Sequence, residues 1–261
     1  LKPSYHPWAS LSYEFGLRIK RREIFGWVLI SLGLDLDYGE PEIRGFNTDA
    51  FNPSFGRGWL VAGGADKVLG DDGKPKELEG SLGPVRFSMR KGAGHMWTRF
   101  CEDSILIYAK PNGVVTAVFD GVSGEGDGSG GLASRRAANT LLEYVDRILE
   151  REQPDEVLEE YREKCASSIP LGATTALILV IKQDGECLLY NKGDSMCYAG
   201  GRLINTLDSV GNLLLKWLND DKPFSRYTFK RQGEITLCSD GVLNSWDDST
   251  EININSIQTE H

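Results

Sequence analysis

No Cys-x-x-Cys pair occurs in this sequence, no basic surplus offsets its acids, and no apolar run is long enough to cross a bilayer. The five cysteines, Cys101, Cys165, Cys187, Cys197 and Cys238, are odd in number and mostly sit in apolar stretches, which argues against a zinc site or a disulfide frame. Reduced core thiols in an intracellular setting, the cytoplasm or the matrix of an organelle, are expected instead. Lys and Arg number 29 against 38 Asp and Glu, and the net charge of -9 has the wrong sign for a surface that binds phosphate backbones. No nucleic-acid partner is therefore expected. The longest apolar run, residues 24–34, falls short of the roughly 20 residues a spanning helix needs, and no signal-peptide pattern precedes it. What the chain does have is bulk: 261 residues, 40% of them hydrophobic, suffice for one large core with or without a smaller appendage.

The most informative stretch is residues 114–131, VVTAVFDGVSGEGDGSGG. Val114, Val115, Thr116, Ala117, Val118 and Phe119 read as a buried strand that stops on Asp120-Gly121 and a glycine-rich loop. A carboxylate is thus left at the mouth of a core, beside a main-chain carbonyl that no side chain shields. These are the oxygen donors a hard divalent cation takes. Asp194 recurs in the same way, in Gly193-Asp194-Ser195 after the strand-like residues 188–191, and Asp240-Gly241 follows 235–239. Glu102-Asp103 enters the strand that precedes the turn Pro111-Asn112-Gly113, so sheet pairing would carry this pair towards Asp120. Taken singly, each Asp reads as a turn residue. Their recurrence at the ends of buried strands is what turn chemistry leaves unexplained. Carboxylates clustered on a core rim repel one another unless cations neutralise them, and oxygen-only donors favour Mg2+ or Mn2+. Arg99, just before the acidic pair, offers a bidentate fork suited to a phosphate oxyanion.

Around these residues the chain reads as α+β. Residues 85–90, 105–109 and 114–119 form a meander, and a helix is predicted over 132–150 with Ala133, Ala137, Leu141, Val145 and Ile148 on one face. A second helix follows Pro154, with Val157, Leu158, Tyr161 and Cys165 as its buried stripe. The nearly all-apolar residues 173–181 turn at Asp184-Gly185 into 187–191. Gly200-Gly201 turns 196–199 into 202–205, and 226–230 with 234–239 read as a further hairpin around Gln232-Gly233. Two antiparallel sheets packed face to face, with helices outside, are expected. Residues 56–83 read as a loop or linker, which gives an N-terminal extension, 1–84, without an assignable function and a main domain, 85–261. Gly126-x-Gly128-x-x-Gly131 formally matches a dinucleotide fingerprint. It begins several residues past the strand end, however, and the strands after it form hairpins and not a βαβ series.

In chain order, Arg99-Phe100-Cys101-Glu102-Asp103, Val118-Phe119-Asp120-Gly121, Gly172-Ala173-Thr174-Thr175-Ala176, Asn191-Lys192-Gly193-Asp194-Ser195 and Leu237-Cys238-Ser239-Asp240-Gly241-Val242-Leu243 can be read together. The set, within residues 85–247, resembles the motifs of the metal-dependent protein phosphatases of the PP2C (PPM) family, in their compact bacterial or organellar form. The resemblance implies a four-layer α-β-β-α sandwich and hydrolysis of phosphoserine or phosphothreonine in a phosphoprotein substrate. It implies that Asp120 bridges two Mn2+ or Mg2+ ions and that Gly121 lends a carbonyl. Glu102 and Asp103 would hold one side directly or through water, Asp240 would complete the other, and Asp194 would serve a weaker third ion. Water held between the ions would attack phosphorus in line while Arg99 grips the phosphate oxygens. Three features depart from the family. No closing Asp in a D-N-x-T/S strand occurs in the 21 residues after Asp240, Val122 stands where a histidine is frequent, and Arg99 lies one residue nearer the acidic pair. The missing motif opens an alternative, a non-catalytic PP2C-fold pseudophosphatase serving as scaffold or subunit of a larger assembly, with residues 1–84 meeting a protein partner. A lost strand would also bare a sheet edge beside 173–181 or 114–119, and the apolar run 24–36 is the segment expected to fill it.

Overall fold

The computed structural model describes residues 27–32, 42–44, 51–54, 57–64, 77–82, 84–90, 102–122, 129–210, 213–231 and 233–244. Its strands begin with β1 (Trp27–Leu32), β2 (Glu42–Arg44), β3 (Phe51–Ser54), β4 (Arg57–Gly63), β5 (Glu77–Leu82), β6 (Val85–Arg90), β7 (Ser104–Lys110), β8 (Gly113–Phe119) and β9 (Gly121–Val122). Helices α1 (Ser129–Leu142), α2 (Val145–Glu150) and α3 (Asp155–Ser168) come next. They are followed by β10 (Ala173–Thr174), β11 (Ala176–Lys182), β12 (Glu186–Lys192), β13 (Met196–Ala199), β14 (Arg202–Leu203), β15 (Ser209–Val210), β16 (Leu213–Leu214), β17 (Ser225–Lys230), β18 (Ile235–Cys238) and the one-turn α4 (Gly241–Asn244).

Two large antiparallel sheets organise these elements, in the orders β14-β13-β18-β1-β6-β5-β2 and β17-β12-β11-β8-β7-β4-β3. The centre of the second sheet is buried on both faces, as the largely apolar sequences of β7, β8 and β11 require. One face meets the first sheet through residues such as Ile30, Phe87, Ile105, Leu177 and Leu237. The other is covered by α1, α2 and α3 through Ala137, Leu141, Ile148, Leu158 and Tyr161. By contrast, β6 buries Val85, Phe87 and Met89 but exposes Arg86, the alternation of a strand with core on one side. Among the described residues the longer helices thus all lie on the second sheet. Against the first sheet lies α4, whose Val242 joins Met196, Cys238 and Leu29 in a small cluster. No helix among the described residues is long and apolar enough to cross a membrane.

Several expectations are corrected. The hairpin around Gln232-Gly233 does not form: β17 pairs with β12 in the second sheet, whereas β18 lies between β13 and β1 in the first. Burial decides this, because β17 alternates between half-buried and exposed residues and suits an edge, while every residue of β18 is buried and has a partner strand on each side. The helix predicted over 132–150 is two, broken at Glu143 and Tyr144, whose N–H groups donate to Thr140 and Leu141 three residues back in a tightened turn. The apolar run 24–36 does supply a strand, β1, but in the first sheet between β18 and β6 and not beside β11 or β8. Residue 84 falls in the tight connection of the β5–β6 hairpin, whose register runs from Leu82↔Val85 to Glu77↔Arg90. Strands before and after it share both sheets. Cys165, Cys187, Cys197 and Cys238 are buried and free, and burial pushes the thiols of Cys165 and Cys238 up to about 12, too high to ionise near neutrality. Cys101 lies outside the described residues.

The inner end of β12 carries a charge that the fold must accommodate. Lys192 has no exposed surface, and its ammonium pairs with Asp220 Oδ1 at 2.6 Å and donates to the carbonyls of Asp220 at 3.2 Å and Lys222 at 2.5 Å. These bonds tie residues 220–222 to the strand that leads into the Gly193-Asp194 turn. Breaking a buried pair from one side typically costs about 3–5 kcal/mol, because the other charge is left uncompensated. Lys192→Met is therefore expected to lower stability in urea unfolding by that amount. A variant as stable as the wild type would show that the pair contributes nothing.

Candidate functional site

Asp103, Asp120, Asp194 and Asp240 come together at one rim of the sandwich, each delivered by a different strand end. Pairing of β7 with β8 sets Ser104 opposite Phe119, so Asp103 and Asp120, one residue further along, leave the sheet side by side. Asp240 follows β18 in the facing sheet, and Asp194 lies where the chain passes from β12 in the second sheet to β13 in the first. The consequence is electrostatic. Burial, then the charges of Asp103 and Asp240, a side-chain hydrogen bond with Asp240 and the charge of Asp194 hold the Asp120 carboxyl well above the ordinary carboxylate range. Asp194 is pushed up to about 6, first by burial and then by Asp240, with Asp208 adding to it.

The main chain of Asp120 is clamped from β10 and beyond. The N–H of Thr175 at 2.8 Å and Oγ1 of Thr174 at 2.9 Å both donate to the Asp120 carbonyl. In return the Asp120 N–H donates to Thr175 Oγ1 at 3.0 Å, which lies 3.2 Å from Ser195 Oγ. Asp103 accepts from the Ser239 hydroxyl at Oδ2, 3.0 Å away, and its carbonyl accepts from the Gly64 N–H at 2.8 Å. Glu102 is buried next to it, its carbonyl accepting from Ser134 Oγ at 2.6 Å on α1. Two of the glycines around the site show why no other residue fits there. A Cβ on Gly121 would lie 2.2 Å from the Glu102 carbonyl oxygen, and one on Gly193, at φ +128°, would lie 2.5 Å from the Thr175 side chain.

The donor set suits a hard divalent cation: several carboxylates crowded into a place where their charges are unfavourable without one. As the side chains stand, no three acidic, His or Cys groups among the described residues are disposed to hold a metal ion. Asp120 and Asp240 are bonded to each other instead. Of the residues singled out from the sequence, Asp103, Asp120, Asp194 and Asp240 are brought together, Glu102 and Gly121 are packed against them, and Arg99 lies outside the described residues. Sequence reasoning counted Thr174, Thr175, Ser195 and Ser239, all buried, among the motif residues but gave them no role, and it passed over Asp208, whose carboxylate pairs with Lys216 at 2.8 Å and accepts from the Gly193 N–H at 3.4 Å. The available signal was a hydroxyl lodged beside an apolar strand, where an unpaired polar group is costly.

No family model and no curated protein matches the chain. Among solved structures it is similar to the PP2C phosphatase domain, with a fragment of the regulatory domain, of the cell fate determinant SpoIIE from Bacillus subtilis. The identity is 12% and the TM-score 0.41, over 87% of this chain and 72% of that one. A likeness of that depth carries no argument about activity or ligands.

Proposed function

We propose that the chain is a metal-dependent phosphatase of the PP2C type that hydrolyses phosphoserine or phosphothreonine in proteins. The observation that supports it is the convergence of Asp103, Asp120, Asp194 and Asp240 from four separate strand ends, the acids to which the family resemblance gives cation binding. Asp120 would bind two Mn2+ or Mg2+ ions together with Asp103, Asp240, Glu102 and the Gly121 carbonyl, and Asp194 would serve a third. A divalent cation supplies an activated water nucleophile and neutralises charge on the phosphate. The chain's own residues do the rest. Thr174 and Thr175 fix the backbone from which the Asp120 carboxylate projects, and Ser134 fixes that of Glu102. The uncompensated acids would repel a phosphate dianion, so substrate binding is expected to require the cations. Arg99 is assigned the grip on the phosphate oxygens. The same proposal places the protein in a reducing intracellular compartment, in keeping with its buried free thiols.

One observation favours a second reading. Because no three acidic, His or Cys groups among the described residues already form a cage, a PP2C-like scaffold without turnover accounts for the same fold. Phosphate release from phosphoserine and phosphothreonine peptides, with and without Mn2+, separates the two. Release that requires Mn2+ and stops with a chelator is expected of the phosphatase. A folded protein that releases no phosphate in either condition is the scaffold.

A further inference from the structure

Ser239 stands at the junction of the two sheets. It follows β18 in the first sheet, has no exposed surface, and its Oγ lies 3.1 Å from the Val28 nitrogen and 3.0 Å from Asp103 Oδ2. The direction of both bonds follows from the groups involved. An amide N–H can only donate, so the Ser239 oxygen accepts from Val28, and its single proton goes to the carboxylate. The Ser239 N–H donates in turn to the Val28 carbonyl at 3.1 Å, so this residue is held to β1 by main chain and side chain alike. Asp103 belongs to the other sheet, at the entry to β7. The hydroxyl therefore joins a carboxylate on one sheet to the backbone of the other, one residue before Asp240. A buried donor to an ionised acceptor is among the stronger hydrogen bonds a protein makes.

We propose that Ser239 is a positioning residue for the acidic site: through its hydroxyl, β1 and β18 set the orientation of the Asp103 carboxylate relative to Asp120 and Asp240. The inference rests on the cation-binding reading of that site. Asp120 and Asp103 come from neighbouring strands, and the β7–β8 register fixes their separation. Asp240 comes from the facing sheet, and its relation to Asp103 depends on contacts that cross the sandwich. The Ser239–Asp103 bond is such a contact, made by a side chain that ligates nothing itself. Because Val28 fixes the hydroxyl, the strand nearest the N-terminus among those described takes part in shaping a site built from acids 75 and more residues later, from Asp103 onwards.

The test is the Mn2+ affinity of the folded, full-length chain by titration calorimetry, with melting in chelator measured alongside. Losing a partner that orients a metal ligand typically weakens metal binding about 10- to 100-fold, and that loss is expected for Ser239→Ala at a temperature where the variant is fully folded. Ser239→Thr, which keeps the hydroxyl, is expected to recover most of the affinity. Should the alanine variant not fold, Ser239→Cys keeps the volume with only a weak donor and gives the same contrast against Ser239→Thr. A lower melting temperature with unchanged Mn2+ affinity would make Ser239 merely structural and overturn the proposal. Wild-type protein that binds no Mn2+ would overturn the cation reading and this inference together, whereas wild-type binding that Ser239→Ala leaves intact overturns the inference alone.

Discussion

Asp120→Ala is expected to reduce Mn2+-dependent phosphate release to background while the metal-free protein keeps its fold and melts above the wild type. The loss follows from the position of Asp120, which burial and the charges of Asp103, Asp240 and Asp194 single out as the centre of the cluster. The gain in stability follows from the sign of the same effect. A carboxyl held above its ordinary range in the folded state favours folding only while protonated, and it opposes folding as pH rises through its unfolded value towards neutrality. Removing it at pH 7 relieves that opposition, and each kcal/mol recovered raises the melting temperature of a chain of this size by about 2–4 °C. The clamps from Thr174 and Thr175 engage the main chain of Asp120 and survive the substitution. Phosphate release and a melt monitored by circular dichroism in chelator check the two halves. Near-normal Mn2+-dependent turnover by the variant would sink the assignment of Asp120.

Deleting residues 1–84 is expected to abolish cooperative folding. The deletion takes β1 from between β6 and β18, and β2 to β5 with it, so both sheets lose strands. Val28, Ile30, Leu32, Leu60, Val61, Leu78 and Leu82 are at most 2% exposed. At about 1.5–3 kcal/mol for each such side chain, their burial is worth on the order of 10–20 kcal/mol. That matches or exceeds the roughly 5–15 kcal/mol by which a whole domain is stable. The ordering entropy of the lost segment is returned, but Val85, Phe87, Ile235 and Leu237 would keep their apolar faces and lose the strand between them. A fragment 85–261 that stays soluble and melts cooperatively would contradict this.

Much of the second sheet is legible in the sequence because its strands carry their own signals. The runs in β8 and β11 are apolar but for Thr116 and the terminal Lys182, and the turns at Pro111-Asn112-Gly113 and Asp184-Gly185 fix their neighbours. The first sheet is much less so. Its central strand, β1, comes from a glycine-interrupted stretch, and its partners lie 59 positions on for Leu29↔Ser88 and 209 for Leu29↔Cys238, pairings that no local pattern encodes. The short Gln232-Gly233 link shows the limit of turn chemistry: it reads as a hairpin, yet the chain uses it to change sheets, because the fully buried β18 needs two partner strands and β17 is suited to an edge. The acids of the site could be found because each interrupts an apolar strand at its end. Their supports stood in the same motifs without a role, since what Thr175, Ser195 and Ser239 do shows only when the fold brings them to Asp120 and Asp103.

Crystals of the wild-type chain grown in Mn2+, with data collected to reveal the anomalous signal of manganese, examine the acidic site without relying on any substrate. Anomalous peaks within bonding distance of the Asp120 carboxylate are expected, with Asp240 and Asp103 turned towards them and the Asp120–Asp240 hydrogen bond broken. A well-ordered site in which that bond persists and no peak stands against Asp120 would show that these carboxylates do not gather to bind a cation.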